Sequence, residues 1–246
     1  MMKCRSNLKV LGSSSKGNCY LLSTSKEVLI IECGIKYKDI LKGLDYDLSN
    51  VVGCLVTHEH KDHCKSIKEL IENGIDVYLS KGTYDNFCKS YNKDYLHRLK
   101  IVKSEKLKVI GGFKIYPFKT HHDAAEPLGF LIYHKEIGNL LFLTDTSYCD
   151  YNFRNLNHIL VECNYSKDFM DPEVLTLRNR IVNNHFELNN VITFLQSNNL
   201  DYIKNIMLIH LSNSNSEGSF FKEEVEKNIG LPIQIANEGI EIDINI

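Results

Sequence analysis

Thr57-His58-Glu59-His60-Lys61-Asp62-His63 places three histidines and an aspartate within six residues. Apolar and β-branched residues precede it (Val51, Val52, Leu55, Val56), and Ile67, Leu70 and Ile71 follow at helical spacing. In an extended segment His58 and His60 project to the same side, because side chains alternate with period two. The chain then turns, so Asp62 and His63 enter the first turn of the next helix. Two imidazoles from one edge, and a carboxylate with an imidazole from the other, suit two divalent metals held close together; zinc, manganese and iron all take such ligands. The plain alternative is a polar strand-to-helix loop with its histidines in solvent. One H-x-H would leave that alternative favoured; the full H-x-H-x-D-H after a buried-type strand favours metal binding.

This motif is the signature of the metallo-β-lactamase fold superfamily, which the chain resembles. The resemblance implies an α/β fold, a four-layer αββα sandwich. Length agrees, since 246 residues fit one α/β domain, and residues 1–246 are expected to form a single one. Hydrophobic residues at 43% and a net charge of −2 describe an ordinary globular chain without a global basic field. No apolar run is long enough to span a membrane, and Met1 to Ser6 lacks a signal-peptide core. The eight cysteines are scattered singly, without a C-x-x-C pair, and read as reduced small hydrophobes of a cytoplasmic protein. Cys64 lies beside the motif and reads as helix packing rather than as a ligand.

Outward from the motif, the chain alternates strands and helices. Leu8 to Leu11 and Cys19 to Leu22 form a hairpin across Gly12-Ser13-Ser14-Ser15-Lys16-Gly17-Asn18. The amides of such a loop can bind anions, although taken alone the stretch is better read as a plain hairpin turn. Gly-Ser-x-Ser-x-Gly-Asn before an apolar strand resembles the opening of the YycJ/WalJ-like (VicX-like) branch. Val28 to Ile31 is a buried strand ending at Glu32-Cys33-Gly34. The superfamily usually has Asp there, supporting the metal histidines; Glu32 is one methylene longer, which repositions that support. A helix from Asp62 to Asn73 stops at Gly74. Lys81 to Tyr91 reads as helical, Lys100 to Ile110 as one or two strands, and Gly111-Gly112 as a hairpin turn.

Phe113 to Lys119 alternates as a strand and leads to Thr120-His121-His122-Asp123. Adjacent histidines cannot both face one way in an extended strand. The family pattern His-Asp-Ala-x-x-Pro, here His122 to Pro127, implies that His122 is the ligand, unless a bulge exchanges it with His121. Gly129 to Tyr133 and Leu140 to Leu143 pair antiparallel, and the second ends at Thr144-Asp145-Thr146. The resemblance makes Asp145 a carboxylate bridging two metals; alone, it would equally be a turn cap. His158 to Val161 ends at Glu162, Pro172 to Asn183 is a helix, and His185 precedes a further helix carrying Leu188 to Leu195.

YycJ-like and tRNase-Z-like relatives have Gly-His-x-Ser at this place, where the histidine pairs with the preceding strand's glutamate and acts on the leaving phosphodiester oxygen. Glu162 and His185 occupy those places, with Asn184 and Glu187 replacing the Gly and Ser. Asn205 to Ile209 ends at His210-Leu211-Ser212, the context of the family's last metal histidine. A helix from Ser214 to Asn228 and strands Ile233 to Ala236 and Ile240 to Ile244 close the chain. His97, His134 and His158 read as surface residues.

The resemblance, which runs from about Leu8 to His210, implies a complete site. His58, His60 and His122 would take one metal, Asp62, His63 and His210 the second, and Asp145 would bridge them. The metals would be zinc, or manganese. The implied activity is metal-dependent phosphodiester hydrolysis, a DNA exonuclease-like role, with Asp62, Glu162 and His185 catalytic and nucleic acid, DNA before RNA, as partner. The interval from Asp145 to His210 is too short for the inserted domain of β-CASP nucleases, and no Gly/Pro-rich arm suggests tRNA 3′ processing. Lys61, Lys65 and Lys68 either contact phosphates or form a solvated helix face. Two alternatives stay open: a small-molecule hydrolase (cyclic nucleotide, thioester or lactone), and a weakly catalytic regulatory binding protein.

Overall fold

The computed structural model describes residues 6–89, 93–170, 175–212 and 216–246. The expected helix starts at Pro172 and Ser214, and the expected helix end at Tyr91, lie outside these residues. The first sheet contains β1 (Asn7–Ser14), β2 (Gly17–Ser23), β3 (Val28–Ile31), β4 (Val51–Leu55), β5 (Val77–Leu79) and β6 (Leu99–Ile101). The second contains β7 (Lys108–Ile110), β8 (Phe113–Lys119), β9 (Leu128–His134), β10 (Gly138–Leu143), β11 (Leu156–Glu162), β12 (Asn205–Ile209) and β13 (Ile233–Ile235). The last strand, β14 (Glu241–Asp243), crosses back to pair with β1, giving the orders β14-β1-β2-β3-β4-β5-β6 and β13-β12-β11-β10-β9-β8-β7. The one or two strands expected between Lys100 and Ile110 are two, β6 and β7, and they lie in different sheets, as do the two closing strands.

Alternation within strands builds the layers. Tyr20, Leu22, Phe130, Leu140 and Phe142 face inward between the sheets, with Tyr20 and Phe142 edge-on at 5.3 Å. Cys19, Leu21, Ile30 and Val77 face outward against α1 (Tyr37–Gly43), α2 (Lys61–Cys64) and α3 (Ile67–Glu72) through Ile40, Leu70 and Ile71. After β5 comes α4 (Lys81–Cys88), and after β11 comes α5 (Leu175–Asn184). Leu141, Leu143, Ile159 and Val161 face outward against α6 (Leu188–Ser197) and α7 (Gly218–Ile229). The apolar stripe of α6, Leu188, Val191, Ile192 and Leu195, follows the helical period. Gly230, at φ 73°, ends α7 in the left-handed conformation that glycine adopts without penalty. Three apolar interfaces thus join four layers, αββα.

Local details depart from the sequence reading. The hairpin loop is only Ser15-Lys16, because β1 runs through Ser14 and β2 begins at Gly17. The helix expected over 62–73 is broken at Lys65-Ser66. The Ser66 hydroxyl donates to Ile35 O at 2.6 Å and its amide to Cys33 O at 2.9 Å, which draws this backbone off the helical ladder. Cys33 N in turn donates to His63 O at 2.8 Å. His134 and His158 are buried rather than on the surface. His134 packs against Phe113, and His158 bonds Ile137 O at 3.1 Å and Asn205 Nδ2 at 3.0 Å. Burial pushes the His158 pKa down to about 4.

Gly34 ties the loop after β3 to the start of α2. A Cβ there would lie 1.6 Å from Asp62 O. Gly34→Ala is therefore expected to destabilise the protein by about 1–3 kcal/mol and to displace Asp62. Urea unfolding together with metal content after gel filtration checks this; a variant matching the wild type in both would show that the backbone has room to move.

Candidate metal centre

The site lies at the carboxyl ends of the strands, where open α/β sheets place ligands. Glu32 follows β3, His58 follows β4, Asp145 follows β10, Glu162 ends β11 and His210 follows β12. The loop after β8 brings in His122. Glu32, Asp145 and His210 have φ values of 62°, 46° and 53°. Non-glycine residues in this left-handed region cost on the order of 1–3 kcal/mol each, so surrounding contacts must hold them. Ser13 Oγ accepts from His210 N at 2.9 Å, and Glu32 N donates to Leu55 O at 2.8 Å.

Ligand-type atoms converge in overlapping groups, each within 4.8 Å: His58, His60 and His122; Asp62, His63 and His210; His58, His63 and Asp145; and Asp145, Glu162, His185 and His210. Asp145 belongs to two of these groups, one with His58 and His63 and one with Glu162, His185 and His210. Its Oδ2 is 2.6 Å from His63 Nε2 and 3.5 Å from His58 Nε2, while Oδ1 is 3.1 Å from His210 Nδ1 and 3.2 Å from His185 Nδ1. Asp62 Oδ2 lies 3.3 Å from His63 Nε2 and 3.5 Å from His210 Nε2.

Several imidazoles have one nitrogen held from behind and the other turned inward, as metal histidines do. Thr57 Oγ1 holds His58 Nδ1 at 2.9 Å, and Asn184 O holds His122 Nδ1 at 3.0 Å. Glu162 Oε1 holds His210 Nδ1 at 3.0 Å. His122 Nε2 and His60 Nδ1 then meet at 3.1 Å. His121 turns the other way, stacking on Tyr148 at 3.8 Å and reaching Asp150 at 2.6 Å. The longer Glu32 accepts from Thr57 N at 3.1 Å through Oε1, and its Oε2 stands 3.5 Å from His63 Nδ1. Glu32 thus braces both the Thr57–His58 turn and His63. Glu32→Gln is expected to weaken metal binding about 10–100-fold in competition with a chromogenic chelator; wild-type affinity would count against this support.

Glu162 is fully buried. Its Oε2 accepts from Thr146 N at 3.1 Å and Phe186 N at 3.2 Å, and its Oε1 lies 2.7 Å from His185 Nδ1. Both departures around His185 have local explanations. Asn184 supplies the carbonyl behind His122 and, through Oδ1, accepts from Asp123 N at 2.9 Å. Glu187 takes the place of Ser as the cap of α6, accepting from Asn189 N at 2.9 Å.

The electrostatics suit cations. Glu32, Asp62, Asp145 and Glu162 cluster together, yet among the described residues their ion-pair partners are all histidines. Burial works against a charged ring at His185, but Glu162 and Asp145 outweigh it and raise its pKa to about 10. At His210 burial again opposes charge, and Asp145, Asp62 and Glu162 raise the pKa to about 9. Burial opposes charge on Asp62 as well, yet His210 and His63 hold its carboxyl far below the usual range. The buried atoms His58 Nε2 and His210 Nε2 have no hydrogen-bonding partner. Orphaned inward atoms, excess carboxylate and an imidazole/carboxylate donor set fit divalent metals.

Above the cluster opens a cleft of about 340 Å³, lined by His60, Asp62, His185 and Arg180 among others. Arg180 Nε lies 3.8 Å from Asp123 Oδ2. The sequence reading passed over Arg180, Thr57, Ser13, Asn18 and Asn164. Asn18 Nδ2 reaches Asp62 O at 3.2 Å and His63 Nε2 at 3.3 Å, and Asn164 Nδ2 donates to His210 O at 2.9 Å. Asn18 stands in the quoted hairpin stretch and Asn164 two residues after Glu162, but no local pattern marks either as a brace.

Comparison with known proteins agrees with this architecture. Exodeoxyribonuclease YycJ of Bacillus anthracis is 27% identical over 222 residues, covering 85% of this chain and 84% of that protein. Exodeoxyribonuclease WalJ of Streptococcus pneumoniae is 27% identical over 258 aligned positions, covering 96% of this chain and 91% of that protein. The crystal structure of the metallo-β-lactamase fold protein YhfI from Bacillus subtilis superposes with a TM-score of 0.77 at 18% identity, covering 98% and 100% of the two chains. Residues 38–211, which carry all seven candidate metal ligands, match the family described as "Beta-lactamase superfamily domain". With that match over most of its length and the four-layer sandwich beneath the cluster, the chain belongs to the β-lactamase superfamily.

Proposed function

We propose that this protein is a cytoplasmic, single-domain, dinuclear-metal phosphodiesterase acting on DNA. The observation that carries the proposal is the Asp145-centred cluster with the Glu162–His185 pair beside it, opening into one cleft. His58, His60 and His122 would hold one cation, and Asp62, His63 and His210 the other, with Asp145 shared. Zinc suits these donors, and manganese is the alternative. When bound, such cations acidify the attacking water and neutralise charge on the phosphate.

The rest falls to side chains of the chain itself. Glu162 occupies His185 Nδ1, which leaves Nε2 to donate a proton to the leaving oxygen. Glu162 also accepts from two backbone amides, so the pair is fixed before substrate arrives. Arg180, on the cleft wall, is placed to bind a phosphate oxygen. His60, Asp62 and His185 keep 33%, 26% and 21% of their side chains exposed, so the centre meets solvent along an open cleft. An open cleft favours a polymer over a small ester, and the two relatives named exodeoxyribonucleases favour DNA.

The test is cleavage of end-labelled single- and double-stranded DNA and RNA by purified protein with Mn²⁺ or Zn²⁺, with Asp62→Ala as control. Metal-dependent DNA cleavage absent from the variant is expected. Failure to cut any polymer, with metal content verified, would transfer the assignment to a small-molecule ester.

The chain forms no helix long and apolar enough to cross a membrane among the described residues.

A further inference from the structure

The tip of the β1–β2 hairpin is a wall between two cavities. Ser15 lines the cleft over the metal cluster. Ser14, Lys16 and Gly17 line a second cavity of about 390 Å³ on the other side, slightly larger than the first. Lys36, before α1, and Lys65, after α2, also face this second cavity. All three lysines are exposed, and among the described residues their ammonium groups form no ion pair. Lys68, by contrast, pairs with Glu72 at 3.9 Å. Asp39 and Glu238 stand on the same rim, so the lining is net positive by one charge.

Three unpaired ammonium groups in a concavity attract phosphate, and the two backbones of the hairpin run only about 5 Å apart. A strand whose scissile phosphate lies over the cluster and that crosses this tip carries a phosphate further along the chain into the second cavity. We propose that this cavity is a phosphate-binding subsite for the DNA strand beyond the scissile bond. Lys16, Lys36 and Lys65 would be its cationic contacts, and the Ser14–Lys16 tip the saddle over which the strand passes. The inference rests on the phosphodiesterase reading and names how that site selects a polymer.

The experiment compares the metal-loaded wild type with Lys16→Gln/Lys36→Gln/Lys65→Gln. Binding is read by fluorescence anisotropy of a labelled, cleavage-resistant phosphorothioate oligothymidylate. Turnover is read on DNA and on bis(p-nitrophenyl) phosphate, which is too short to span both cavities. The triple variant is expected to bind at least about tenfold more weakly at low salt, with the slope of log affinity against log salt reduced by about two. The ratio of kcat/KM for DNA to that for the small ester should fall by a similar factor. Asp39→Asn/Glu238→Gln, which removes the acidic part of the rim, should shift affinity the opposite way. Unchanged affinity and slope in the lysine variant would overturn the subsite while leaving a DNA-cleaving wild type, and hence the phosphodiesterase reading, intact. Lysine-dependent binding by a wild type that cleaves neither substrate would overturn the phosphodiesterase reading and retain the subsite.

Discussion

Asp145→Asn is expected to reduce DNA cleavage by more than about 100-fold, beyond what loss of an outer support costs a metal site, and to lower the bound metal. No other described carboxylate in the cluster has as many imidazoles around it: His58, His63, His185 and His210 all lie within 3.5 Å of it. Asparagine keeps the shape and, like aspartate, tolerates the left-handed backbone found at φ 46°. Folding is therefore preserved while the negative charge is lost, and a fall in activity can be assigned to that charge. Elemental analysis after gel filtration, together with initial rates at saturating Mn²⁺, reads the two effects. A variant with full metal content and wild-type rate would remove Asp145 from the centre.

His185→Ala is expected to lower turnover about 10²–10⁴-fold, the range for loss of a positioned general acid, with metal content unchanged. His185 stands apart from the three-histidine and Asp62 groups, and its Nδ1 is engaged by Glu162 at 2.7 Å. The loss should depend on the leaving group. A p-nitrophenolate departs without protonation, so cleavage of a p-nitrophenyl ester should suffer far less than cleavage of DNA, whose sugar alkoxide needs the proton. Glu162→Gln should show the same leaving-group pattern in weaker form, because it leaves the imidazole present but less well oriented. Equal losses on both substrates would make His185 a binding or packing residue, and no loss on DNA would end its catalytic role.

The three left-handed residues show how fold and chemistry are linked. Glu32, Asp145 and His210 each stand at or just beyond the end of a strand, and each turns its side chain sharply into the cluster. A relaxed extended backbone would carry these side chains onward with the strand direction. Strain at a functional site persists only where neighbours over-determine it, and Ser13, Leu55 and Glu162 do so here. The hairpin of residues 12–18 belongs to the same support. Tyr20 donates to Ser13 Oγ at 2.8 Å, and Asn18 Nδ2 donates to Asp62 O at 3.2 Å, so its polar residues brace the cluster rather than only turning the chain.

What the sequence determined by itself was local. Period-two alternation in Phe113 to Lys119, and the apolar stripe of Leu188 to Leu195, specify strand and helix because those periods are properties of neighbouring residues. The H-x-H-x-D-H run is legible for the same reason, since its donors are adjacent in the chain. The tertiary structure decided everything that depends on distant partners. It set His122 rather than His121 beside His58 and His60, because Asn184 holds one ring and Asp150 draws off the other. It broke the helix at Ser66 through contacts with Cys33 and Ile35, and it buried His134 and His158. It sent β13 and β14 to different sheets, and it joined Glu162 to both His185 and His210 across 23 and 48 residues of chain. Such contacts are chosen by packing among residues remote in sequence, and no local period encodes which of two equally polar side chains will find its partner.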